Sequence, residues 1–96
     1  MGFTMSNLSI DDRKALLRRI DEALNENVIS LGDAIKIIRT ELYGMNQRDY
    51  AKLTRVSDKT LRDIEKGNTD PRLSMMNKLL APGGFQLSAR VVKRTI

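Results

Sequence analysis

Residues 57–66 read Ser-Asp-Lys-Thr-Leu-Arg-Asp-Ile-Glu-Lys, a run in which only two apolar side chains interrupt hydrogen-bonding ones. At about 100° per residue, with Asp58 at 0°, Arg62 falls near 40°, Lys66 near 80°, Lys59 near 100° and Asp63 near 140°. Leu61 and Ile64 fall on the other side, near about 300° and 240°. A helix of this kind has a narrow apolar foothold and a broad polar face. On such a face, arginine and lysine donate to the acceptor pair of a guanine edge, aspartate accepts from a cytosine amino group, and Ser or Thr hydroxyls serve either. The chemistry on offer is recognition by hydrogen bonds and charge. Periodicity alone also describes an ordinary solvated surface helix.

Other chemistry is thinly represented. The chain has no His and no Cys, which removes imidazole acid–base catalysis, zinc sites with His or Cys ligands, reactive thiols and disulfides. Catalysis would rest on carboxylates, Lys or Tyr, and no pair of these stands in an apolar-pocket pattern. No catalytic residue, metal site or cofactor is expected, and the chain does not read as an enzyme. Its net charge is +5, and residues 71–96 hold five basic and no acidic side chains. That excess suits a polyanionic partner, and also plain solubility. No apolar run approaches the roughly 20 residues that span a bilayer. The first five residues lack the pattern of a secretion signal, so no membrane partner and a cytoplasmic location are expected.

Elements must position the polar face. With 96 residues, 4% aromatic and no Trp, the core is built from Leu, Ile, Val, Met and Ala, which favours helices. Ser9 caps a first helix with Leu16, Leu17, Ile20, Ala23 and Leu24 on its inner side. Ser30 caps a second, with Asp33 in capping-box position. Leu31, Ala34, Ile35, Ile38 and Leu42 form its stripe, Lys36, Arg39 and Glu41 point elsewhere, and Gly44 stops it. A short helix from Gln47 to Leu53 carries Tyr50, Ala51 and Leu53. After a turn at Thr54-Arg55-Val56, Ser57 caps the polar-faced helix and Gly67 ends it. Leu73, Met76, Leu79 and Leu80 mark one more helix before the break at Pro82-Gly83-Gly84. Beyond it Phe85, Leu87, Ala89 and Val91 alternate with Gln86, Ser88 and Arg90, a strand signal. A lone strand leaves backbone groups unpaired, and pairing with a second copy solves this. The expected organisation is an extension with one helix (1–29), a helical domain (30–82) and a C-terminal strand or tail for dimerisation (83–96).

A helix that projects its side chains needs a close crossing over a supporting helix, and Ala51 supplies the small residue. Val56, Leu61 and Ile64 close the small core beneath. With Leu31, Gly32, Ile35, Ile38, Arg39, Asn46, Gln47, Tyr50, Ala51, Val56, Ser57, Thr60, Leu61, Ile64, Glu65, Lys66, Gly67, Pro71, Leu73, Met76 and Leu79 in register, residues 31–80 resemble the helix-turn-helix domain of the phage-repressor and Xre family. The resemblance implies an all-α, five-helix, lambda-repressor-like domain, here with an extra N-terminal helix and a short C-terminal strand. It implies a dimeric repressor that reads a palindromic operator in double-stranded DNA. Residues 34–39 and the strand-like ending also resemble HipB-type antitoxins, which implies a kinase-like toxin as a further partner. Both readings stay open at this point. Three positions depart from the family pattern. Arg55 stands where a glycine is frequent, which requires φ > 0 at a cost of order 1 kcal/mol or a different turn. Thr54 replaces the usual Leu, and about one extra residue before Gly44 implies a bulge or a shifted helix end.

By the same resemblance, Ser57, Asp58, Lys59 and Arg62 are expected at base edges. Gln47, Arg55, Thr60, Lys66 and Asn68 are expected at phosphates. Intrahelical pairs, Asp58 with Arg62 and Lys59 with Asp63, are the alternative use of these charges.

Overall fold

The computed structural model describes residues 8–88. They form five α-helices: α1 (Ile10–Asn25), α2 (Leu31–Ile37), α3 (Gln47–Thr54), α4 (Asp58–Lys66) and α5 (Leu73–Leu80). A π-helical turn, Ile38–Leu42, continues α2, and a 3-10 turn, Ala81–Gly83, follows α5.

The helix starts follow their caps. Ser9 Oγ accepts from the Asp12 N–H at 3.1 Å. Ser30 Oγ accepts from the Asp33 N–H, and the Asp33 carboxylate accepts from the Ser30 N–H, each at 3.0 Å. This reciprocal pair satisfies two end donors of α2. The Ser30 backbone bond, then its hydroxyl, hold the Asp33 carboxyl below its usual range. Asn46, not singled out as a cap from sequence, caps α3 by accepting from the Asp49 N–H at 2.8 Å. The extra residue before Gly44 is absorbed as the expected bulge: the Tyr43 N–H reaches back to the Ile38 carbonyl at 3.1 Å, one residue further than in an α-helix.

One core joins all five helices. Leu16 and Ile20 of α1 are buried in the same cluster as Ile35, Tyr50, Leu61 and Leu79. The five helices therefore include α1, and the expectation of five plus an additional one counts a helix too many. Other expectations need correction. Leu73 is 70% exposed and Leu53 40% exposed; each sits at a helix end where the stripe rotates out of the bundle. Thr54 is buried instead of Leu53, and its hydroxyl donates to the Tyr50 carbonyl at 2.8 Å. That bond lets a polar side chain fill an apolar position.

No strand forms among the described residues. Residues 85–88 are irregular, and Phe85 and Leu87 are packed against the protomer's own core. Among the described residues of that segment, the two alternating apolar side chains, Phe85 and Leu87, cover the bundle. The Phe85 N–H donates to the Leu80 carbonyl at 3.2 Å, and the Leu87 N–H to Asn77 Oδ1 at 2.7 Å. Ala89 and Val91, expected in the same strand, lie outside the described residues.

Tyr50 is the largest fully buried side chain. Its hydroxyl donates to the Leu79 carbonyl at 2.6 Å, tying α3 to α5, and its ring lies 6.2 Å from that of Tyr43. Burial pushes the phenol well above its ordinary value, with the nearby Tyr43 and Glu65 charges adding to the rise. A raised folded-state value means that Tyr50 contributes stability below pH about 10 and loses it as pH rises further. Urea midpoints measured between pH 8 and pH 11 should therefore fall more steeply for the parent chain than for Tyr50→Phe. Parallel slopes would show that Tyr50 ionises freely in the folded state.

Candidate nucleic-acid interface

α3 ends on Arg55, which has φ 61° and ψ 41°. Its N–H donates to the Lys52 carbonyl at 3.3 Å, and the Val56 N–H to the Ala51 carbonyl at 3.0 Å. This is the left-handed helix ending usually given to glycine, so of the two expected turns the chain adopts the one with φ > 0. The turn swings the chain across Ala51 into α4. Ser57 Oγ accepts from the Thr60 N–H at 3.1 Å, and Gly67, with φ 76°, closes α4.

Leu61 and Ile64 are buried. Gly32 of α2 lies so close that a Cβ added there would meet the Ile64 carbonyl oxygen. α4 is thus seated on α2 through one face, with its polar face outward. Asp58, Lys59, Arg62 and Lys66 are exposed, as are Ser57, Arg55 and Asn68.

Glu65 is the exception on this helix. Its carboxylate accepts from Arg39 Nε at 2.7 Å and from a second guanidinium nitrogen at 2.9 Å. The two side chains are 4% and 9% exposed. A third guanidinium nitrogen donates to the Met45 carbonyl at 2.8 Å, and Gln47 Nε2 donates to Glu65 at 3.1 Å. One carboxylate thereby ties the end of α4 to the π-helical turn and to the start of α3. Arg39 was expected to point away from the core. It stands four residues after Ile35 and so shares its face; a charge inside an apolar stripe, and a second beside Ile64, were the legible signals of a buried pair.

The sequence-derived residues fall into separate groups. Gln47, Asp58 and Arg62 come together with Asn46 and Arg48 around a shallow cleft of about 380 Å³ between the starts of α3 and α4. Lys59 lies further round and pairs with Asp63 at 3.3 Å; no such pair joins Asp58 to Arg62. The Ser57 hydroxyl donates to Thr60 Oγ1 at 2.8 Å, so both side chains are engaged in capping. Lys66 and Asn68 sit at the far end of α4, and Arg55 at the turn.

Two short helices joined by a left-handed turn, the second with an exposed polar face, make a helix-turn-helix unit. Comparison with family models matches residues 35–85 to the helix-turn-helix family HTH_3. The match spans just over half of the chain, and the chain belongs to this family of DNA-binding regulatory domains. The resemblance to the phage-repressor and Xre class is borne out at that level. Comparison with curated proteins and with solved structures gives no match. Among the described residues no helix is long and apolar enough to cross a membrane.

Proposed function

We propose that this protein is a sequence-specific transcriptional repressor that inserts α4 into the major groove of an operator. The observation that carries the reading is the division of α4 into a buried face, Leu61 and Ile64, and an exposed one, Asp58, Lys59, Arg62 and Lys66. Arg62 and Asp58, at the cleft beside α3, suit base edges, and Lys59 is oriented for the same task by Asp63. Ser57 makes a weaker reader, because its hydroxyl is occupied in the cap. Lys66, Arg55 and Asn68 suit phosphates on either side; Gln47 and Thr60 are weaker candidates, because the Gln47 amide donates to Glu65 and the Thr60 hydroxyl accepts from Ser57. Proteins of this class bind as dimers on two half-sites about one duplex turn apart, so we infer a homodimer on a palindrome. The antitoxin alternative drew on residues 34–39 and on a C-terminal strand; residues 85–88 are irregular and the rest of that segment lies outside the described residues, so the repressor reading has the more direct support.

Arg62→Ala should weaken specific binding by about 1–3 kcal/mol and relax selectivity at one base pair. Lys66→Ala should weaken binding to all sequences alike and flatten the salt dependence by about one unit. Selection of bound sites from random DNA, followed by fluorescence anisotropy against salt, measures both. Equal loss on selected and random duplexes for Arg62→Ala rejects its role as a reader, and a selected motif without twofold symmetry rejects the dimer.

A further inference from the structure

A second depression, wide open to solvent and of about 500 Å³, lies behind the α3–α4 turn, its volume within the range of small-molecule sites, about 300–1,000 Å³. Its apolar wall is made by Tyr43, Leu53, Ala81 and Pro82, and its charged groups are Arg55 and Lys78. The wall is braced, because the Tyr43 hydroxyl donates to the Pro82 carbonyl at 2.7 Å. Leu53, 40% exposed beside it, is a large apolar side chain that the core does not use. No carboxylate lines the depression, and neither cation has an ion-pair partner among the described residues.

We propose that this depression binds a small amphipathic carboxylate, with its apolar body on Leu53 and Pro82 and its carboxylate between Arg55 and Lys78. Two unpaired cations beside an apolar wall select against a neutral apolar compound and against a bare anion. Arg55 gives the site a consequence, which rests on the reading above: the guanidinium proposed to hold a phosphate is the one that holds the ligand. Carboxylate and duplex then compete for it, and by linkage each weakens the other.

Octanoate, octanol and inorganic phosphate serve as probes, titrated without DNA and followed through the Leu53 methyl and Ala81 amide resonances. Octanoate should give saturable shifts at both. Lys78→Gln should weaken it about tenfold, the loss of one charge-assisted hydrogen bond. Octanol and phosphate should each bind at least about tenfold more weakly. Because Lys78 is exposed on α5, the variant should keep the fold, and its DNA affinity without octanoate serves as its own reference. Saturating octanoate should lower the DNA affinity of the parent chain severalfold and leave that of Lys78→Gln nearly unchanged. Absence of saturable shifts, equal binding of octanol or phosphate, or an unaltered Lys78→Gln titration overturns the site. Those outcomes are read without DNA, so they are distinct from failure of the repressor reading.

Discussion

Glu65→Ala should lower the stability of the folded chain by roughly 3–5 kcal/mol, the range for removing one partner of a buried ion pair. The cost lies in what stays behind. Arg39 retains its charge at a site where its side chain is 9% exposed, and two of its nitrogens lose their acceptor. Domains of this size have about 5–15 kcal/mol in total, so the variant should stand near the edge of folding. Glu65→Gln, which keeps the shape and one acceptor oxygen, should lose less. Arg39→Met combined with Glu65→Leu should recover most of the loss, because well-packed apolar pairs commonly replace buried ion pairs at little cost. Urea unfolding at two salt concentrations checks the set, and the loss should change little with salt because a buried pair is weakly screened. A loss below about 1 kcal/mol for Glu65→Ala would mean that the pair behaves as a surface bridge. The double variant separates stability from function. It should fold, yet bind DNA less well than the parent, because Gln47 and the Met45 carbonyl lose the anchor that sets the start of α3 against α4.

What could be read in advance follows from the range of the forces involved. Caps and turns are local, so Ser9, Ser30, Ser57 and Gly67 marked their helix ends from a few neighbouring residues, whereas at Arg55 the resemblance left two turns open and the fold adopts the one with φ > 0. The polar face of α4 is also local, a matter of spacing. Long-range features were less legible. Glu65 pairs with a residue 26 positions away; a charge on the face of Ile35 and one beside Ile64 signal that each is buried, but local sequence does not say which partner each one takes. Leu53 and Thr54 exchanged their expected places: Thr54 is buried and Leu53 40% exposed, because tertiary packing and not hydrophobicity alone makes the choice. The alternation from Phe85 to Val91 is a true pattern, but a period of two states only that alternate residues face alike. In the fold, Phe85 and Leu87 face the protomer's own core.

Gly32 decides how closely α4 can be held, and its replacement is the second large effect expected. Helix propensity argues one way, since Gly→Ala inside a helix gains about 1 kcal/mol. Packing argues the other. A Cβ at Gly32 would meet the Ile64 carbonyl oxygen and lie 3.3 Å from Glu65 Cα, both backbone atoms that no rotamer change can move. Packing should win, because α2 and α4 must separate and open the layer beneath Leu61. Gly32→Ala should cost about 1–3 kcal/mol and Gly32→Val about 3 kcal/mol or more. At about 4–8 °C per kcal/mol for a domain of this size, thermal unfolding resolves the two. Gly67→Ala serves as comparison: its position has φ 76° and open space around it, so it should lose only the backbone term of about 1 kcal/mol. The Gly32 variants should also lose DNA affinity under conditions where they are fully folded, since a displaced α4 would shift the proposed readers Asp58, Lys59 and Arg62 together relative to the start of α3, whereas Gly67→Ala should not. If Gly32→Ala proves neutral or stabilising, the contact between α2 and α4 is looser than the geometry states, and the seating of α4 must come from Leu61 and Ile64 alone.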